Sequence, residues 1–286
     1  TIATNTVIQR NGPKTALLCT DGFRDIIHFR DGFKPERYNI QLQPPEDFIP
    51  RYLRLPVKER VNYAGEIQIK LDEESVFNTI EILKKEKVES VAVSFLWSIR
   101  NPSHEKRVGE LLHTFLSGVP YTLSHELNPI MREYRRASST VIDASIKPLM
   151  QSHFTELQAD LRNSGYSNEL LISTTIGGCM DVDNVINRPI HTVRSGPAMG
   201  PVAGRQYAKL EKRENPVLVV DTGGTTFDVS LVVDDKIAVT QETWLGGRFT
   251  GDMLGIPAVD ARSVGAGGGS IAFIDKGGAF RVGPKS

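Results

Sequence analysis

Apolar residues fall in short runs along this chain, and the spacing between them changes character from one run to the next. Thr15–Thr20 is an apolar run between Gly12-Pro13 and Asp21-Gly22, the outline of a buried strand between two turns. Residues 31–66 hold Pro35, Pro44, Pro45, Pro50 and Pro56 and read as an irregular, extended segment. From Glu73 to Glu86 the apolar positions Val76, Phe77, Ile80 and Leu83 follow one helix face. Ser90–Trp97 is close to continuously apolar, which suits a strand covered on both faces. Asn101-Pro102-Ser103 followed by Glu105 then opens a helix that runs to Leu116. Helix, strand, helix in this order is the rhythm of an α/β domain.

The second half changes pattern. Residues 133–144 and 148–164 are helical by composition, with Gly165 as the C-terminal cap. Leu170–Thr175 predicts a strand running into Gly177-Gly178. Pro197–Leu210 predicts a helix rich in small residues, among them Ala198, Gly200, Ala203 and Gly204. Val217–Val220, Phe227–Val233 and Lys236–Thr240 predict a β-meander, with Asp234-Asp235 as one turn. A last strand, Ile271–Asp275, follows the small residues Gly265–Ser270. These patterns divide the chain into an α/β segment over 1–125 and a second segment over 126–286.

Composition narrows the class. The chain has 286 residues with 34 Lys+Arg against 34 Asp+Glu, and this zero formal net charge argues against a dedicated nucleic-acid binder. No stretch approaches the roughly 18 uninterrupted apolar residues of a membrane span. The two cysteines, Cys19 and Cys179, form neither a disulfide framework nor a metal cluster, as expected of a cytoplasmic protein. Thr1–Val7 reads as a continuation rather than a beginning, so the chain is expected to be an internal piece of a longer polypeptide.

The most informative residues are Val220-Asp221-Thr222-Gly223-Gly224-Thr225-Thr226-Phe227-Asp228-Val229. An apolar strand reaches an aspartate, turns through two glycines, offers hydroxyls and returns with a second aspartate. Glycines allow positive φ and let backbone N–H groups approach an anion without a Cβ in the way. Asp221 and Asp228 supply hard oxygens suited to a hydrated magnesium ion that also meets phosphate. There is no Gly-Lys-Ser/Thr, so this is not a Walker loop. The segment resembles the second phosphate loop of the actin, sugar-kinase and Hsp70 superfamily, which implies an α/β, ribonuclease H-like nucleotide-binding domain with an additional α/β region.

Further motifs resemble one family within that superfamily. Thr1–Thr6, Asp21-Gly22-Phe23-Arg24-Asp25, Asn101-Pro102-x-His104-Glu105, Arg132-Glu133-Tyr134, Arg194–Ala198 and Val264–Ala272 are similar, in order, to the hydantoinase A / 5-oxoprolinase family. The resemblance implies ATP with Mg2+ or Mn2+, and phosphorylation of a lactam or enol oxygen leading to hydrolysis of a cyclic amide such as a hydantoin or 5-oxoproline. It places Gly223, Gly224, Thr225 and Thr226 on the phosphates and Asp221 on the metal, with Asp221, Thr225 and Asp228 as the catalytic set. Gly267, Gly268 and Gly269 are expected to pass close to nucleotide or substrate, with Ser195 and Gly196 at an anion-favouring helix start. Thr4 and Asn5 are candidate contacts to a small-molecule carbonyl substrate. The same resemblance implies a B-type partner subunit and a homo- or hetero-oligomer. It leaves open the ATP-handling subunit of an acetone- or acetophenone-type ketone carboxylase, and an Hsp70-like ATP-driven binding switch stands as an alternative of another class.

Overall fold

The computed structural model describes residues 2–32, 34, 36–213, 216–224 and 226–282. The chain forms two compact units: one of Thr1–Leu170, Asp181–Ile190 and Glu242–Ile256, the other of Leu171–Met180, His191–Gln241 and Pro257–Ser286.

The first unit is built on a parallel sheet. Its elements are helix α1 (Ile2–Gln9), strands β1 (Thr15–Thr20) and β2 (Arg54–Val57), helix α2 (Glu73–Lys85), strand β3 (Ser90–Ser94), helix α3 (Ser103–Phe115), strand β4 (Tyr121–Leu123) and helix α4 (Glu133–Asn163). The strand order is β2-β1-β3-β4, with every neighbouring pair parallel. All residues of β1 and β3 are buried, as their unbroken apolar runs require in a sheet packed on both faces. Pro56, which cannot donate to a ladder, lies in the edge strand β2.

Two expectations change in this unit, and one element goes unannounced in the sequence. The segment 31–66 is not wholly irregular: it contains β2 and a small hairpin pairing Arg60–Val61 with Ile67–Ile69. The residues around Thr4 form α1 despite a β-branched run that weakly disfavours helix, because Ala3, Thr6 and Val7 are buried there and α1 packs against α4. The two helices expected over 133–164 are one continuous α4 that passes through Pro148. Pro148 has no N–H to give the carbonyl of Ala144, and the Ser90 hydroxyl donates to that oxygen instead, at 2.6 Å.

The second unit centres on helix α5 (Ser195–Leu210) and strands β5 (Val217–Thr222), β6 (Phe227–Val233) and β7 (Arg262–Val264). β6 pairs antiparallel with β5 along its length and with β7 near its start. The expected third meander strand divides in two. Lys236–Ile237 closes on Val232–Val233, whereas Val239–Thr240 leaves to pair with Ala258–Val259. The small residues of α5 allow its close approach to β5, since a Cβ on Gly204 would run into Cγ2 of Val219. Gly204→Ala gains about 0.8–1 kcal/mol of helix propensity, but overpacking costs about 1–3 kcal/mol. A clash this close belongs at the costly end. The full-length variant is therefore expected to unfold at a lower urea midpoint, about 1–2 kcal/mol less stable. A midpoint at or above wild type would refute the tight packing of α5 on β5.

Candidate functional site

The site is built on the β5–β6 hairpin of the second unit. Its turn is closed by the Gly223 N–H, which donates to the carbonyl of Thr226 at 2.9 Å. The register sets Asp221 directly opposite Asp228, and Asp228 opposite Ser263 of β7. Residues directly opposite across strands share a sheet face, so these three side chains line one face. Two carboxylates so placed repel each other unless positive charge lies between or beside them. The Ser263 hydroxyl donates to Asp228, and Thr226 Oγ1 reaches the other carboxylate oxygen at 3.4 Å. The Arg194 guanidinium in turn donates to Ser263 Oγ at 3.1 Å and to the carbonyl of Ala261 at 2.8 Å. Burial pulls Arg194 below its ordinary range, while the Asp228 and Asp260 carboxylates pull it back.

A second glycine-rich loop lies against the first. The Gly268 N–H donates to the carbonyl of Gly223 at 2.9 Å, and the Gly269 N–H to that of Gly224 at 3.0 Å. The loop braces itself through the Gly267 N–H, which donates to Ser270 Oγ at 2.9 Å, and the Ser270 N–H, which donates to the carbonyl of Gly267 at 2.9 Å. A Cβ on Gly267 would sit 2.7 Å from the carbonyl oxygens of both Gly223 and Gly224. None of Gly223, Gly224, Gly267, Gly268 and Gly269 adopts positive φ. Of the two expected uses of glycine, left-handed backbone is not made here, whereas the missing side chain is required at Gly267. The Gly224 N–H makes no hydrogen bond among the described residues, which leaves it available as a donor.

The structure thus brings Asp221, Gly223, Gly224, Thr226, Asp228, Gly267, Gly268 and Gly269 together. Thr225 lies outside the described residues. Ser195 and Gly196 form the first turn of α5, directly after Arg194, with Ser195 Oγ 3.4 Å from the Ser173 hydroxyl. Thr4 and Asn5 stand in α1 of the first unit. Arg194 and Ser263, which orient Asp228, carry no role in the sequence reading, because their link needs β7 to pair with a strand some thirty residues away. The cluster of Arg132, Arg135 and Arg136 beside Glu133, which in sequence reads as a solvated helix face or an interface salt-bridge network, divides in space. Arg132 is exposed, Arg135 pairs with Asp31 and Glu242, and Arg136 is buried with three bonded donors. Among the described residues there is no cluster of three or more metal-ligating side chains, and no helix is long and apolar enough to cross a membrane.

Known proteins carry the same arrangement of chain. Residues 136–286 match the family model described as Hydantoinase/oxoprolinase, and residues 1–116 match that of the Hydantoinase/oxoprolinase N-terminal region. The chain is 34% identical to caprolactamase subunit alpha of Pseudomonas jessenii, matching 100% of this chain and 41% of that protein. It is also 34% identical to the acetophenone carboxylase gamma subunit of Aromatoleum aromaticum, over 100% of this chain and 40% of that one. The crystal structure of ATP-dependent caprolactamase from Pseudomonas jessenii superposes with a TM-score of 0.85 at 33% identity, covering 100% of this chain and 41% of the solved one. The chain thus spans about two fifths of the length of these relatives. Two family models matched in order and a shared α/β architecture make this chain a member of the hydantoinase/oxoprolinase family.

Proposed function

We propose that this chain handles ATP in an enzyme that activates an unreactive carbonyl, phosphorylating a lactam oxygen so that water opens a cyclic amide such as a hydantoin or 5-oxoproline. The observation that carries the reading is the apposition of the two glycine-rich loops beside paired carboxylates, where Gly268 and Gly269 hold the carbonyls of Gly223 and Gly224. Phosphoryl transfer is mainly a problem of positioning and of neutralising charge, and fixed backbone donors supply both at little reorganisation. In this reading Gly223, Gly224, Thr225 and Thr226 face the phosphates, with the Gly224 N–H as the uncommitted donor. Gly267, Gly268 and Gly269 brace that loop from behind, and Ser195 and Gly196 offer the start of α5 to negative charge.

Asp221 and Asp228 fit a Mg2+ or Mn2+ ion delivered with the nucleotide, because such ions use one or two carboxylates plus phosphate oxygens rather than an all-protein cage. Asp221 would hold the ion, whose chemistry there is to neutralise phosphate charge. Asp228, tied to Ser263 and Thr226, keeps the hairpin aligned. Thr4 and Asn5 remain the proposed polar contacts to the carbonyl substrate. The names of the relatives, alpha and gamma subunits, support a B-type partner subunit and a hetero-oligomer.

A second reading, the ATP-handling subunit of a ketone carboxylase, is favoured by the identity to the acetophenone carboxylase gamma subunit. The test is ATP hydrolysis by the full-length protein with its partner subunit, adding 5-oxoproline, hydantoins, or ketones with bicarbonate in turn. Stimulation by a cyclic amide is the expected result. Stimulation by a ketone with bicarbonate alone would replace the first reading with the second.

A further inference from the structure

Arg194 stands immediately before α5 with a φ of 59°, in the left-handed region. There a Cβ crowds the following carbonyl, and glycine would sit free of strain. A side chain held in such a conformation has its reason in what it reaches. The Arg194 side chain does not cap its own helix. It is largely withdrawn from water instead, and burial works against its charge.

What it reaches is the end of the sheet that carries the hairpin. Arg194 Nη2 donates to the carbonyl of Ala261 at 2.8 Å and to Ser263 Oγ at 3.1 Å. A guanidinium has only donors, so Ser263 meets it with a lone pair and keeps its single proton to give. That proton goes to Asp228. Ser263 is exposed, so without the arginine water would compete for its hydroxyl and leave the proton's direction unset. Two carboxylates draw on the Arg194 charge, Asp228 and Asp260. Asp260 is already paired with Arg262 at 2.8 Å, which leaves Asp228 as the one that Arg194 serves.

The register of the hairpin turns this contact into a role. Asp228 faces Asp221 across the ladder, an arrangement that repels unless positive charge lies beside it. Arg194 supplies that charge one hydroxyl away. Ser263 fixes one oxygen of Asp228, and Thr226 Oγ1 approaches the other at 3.4 Å. Asp228 is thereby committed to the protein. Asp221, which makes no hydrogen bond or ion pair among the described residues, is left to meet an incoming cation.

We propose that Arg194 is a positioning residue of the ATP site, acting through Ser263 to hold Asp228 in place opposite Asp221; the assignment rests on the ATP-handling reading above. The test is a double-mutant cycle on ATP hydrolysis by the full-length protein with its partner subunit, reading kcat and KM for ATP separately. Arg194→Gln and Ser263→Ala are each expected to lower kcat about tenfold, the worth of one hydrogen bond to a charged group. KM for ATP should stay near its wild-type value. The double variant should be no slower than the slower single, because both changes break one relay. Ser263→Thr keeps the hydroxyl and should restore turnover. A double variant showing the product of the two losses, about a hundredfold, would overturn the relay, as would wild-type kcat in Ser263→Ala. A direct contact between Arg194 and the phosphates would instead raise KM for ATP in Arg194→Gln, and would do so again in the Ser263→Ala background. Should Arg194→Gln fail to fold, Ser263→Ala against Ser263→Thr decides, since Ser263 is exposed and the two differ in the hydroxyl that the relay needs. Asp221→Ala runs alongside. If it lowers turnover while the Ser263 and Arg194 variants do not, the relay falls and the reading stands; if it too leaves turnover at the wild-type rate, reading and relay fall together.

Discussion

Asp221→Ala in the full-length protein is expected to lower ATP turnover by about 10²–10³-fold, the cost of removing one preorganised group from a charge-stabilising site, without loss of thermal stability. The two halves of this expectation have separate causes. Asp221 is exposed and its carboxylate makes no hydrogen bond or ion pair among the described residues, so the fold loses no contact with it. It also stands directly opposite Asp228 across the β5–β6 ladder. Removing one of two opposed carboxylates relieves repulsion, so the melting midpoint should hold or rise slightly. A residue kept at that cost on an exposed hairpin has its use in what it binds. Asp228 makes the instructive contrast, since it accepts from Ser263 and Thr226. Asp228→Asn should therefore disturb the hairpin as well as turnover. Steady-state ATP hydrolysis with melting curves of both variants checks the pair. Near-wild-type turnover in Asp221→Ala would remove the aspartate from the ATP chemistry.

The parts of this structure that sequence revealed are those whose physics is local. β1 and β3 are legible because a strand covered on both faces carries a nearly continuous apolar run, here residues 16–19 and 91–93, and the β5–β6 turn is legible because its glycines and aspartates sit side by side. What stayed hidden depends on partners distant in the chain. Nothing near Pro148 announces that Ser90 will satisfy the carbonyl the proline abandons, so one helix read as two. Nothing in Arg194 announces Ser263. The glycines carry the sharpest lesson. Their presence allows either positive φ or a bare backbone, and the structure uses the second at Gly267, where one loop comes so near the other that only hydrogen fits between them.

Gly267→Ala tests that bareness, and is expected to reduce ATP turnover by about a hundredfold. The new Cβ would fall 2.7 Å from the carbonyl oxygens of Gly223 and Gly224, a separation the backbone cannot tolerate. Those carbonyls are the acceptors for Gly268 and Gly269, so the shift that relieves the clash also breaks the two hydrogen bonds holding the loops together. If that loop faces the phosphates as proposed, displacing it by about 1 Å suffices for a hundredfold loss when catalysis depends on positioning. Gly265→Ala is the matched control. It lies two residues away in the same loop without positive φ, and a Cβ there meets nothing within 4 Å. Flexibility lost from the loop would affect both variants alike, whereas steric apposition singles out Gly267. Turnover and KM for ATP measured side by side decide between these causes. Equal losses in the two variants would mean that the loop acts through its mobility. Wild-type turnover in Gly267→Ala would mean that the contact between the loops is not what positions the nucleotide.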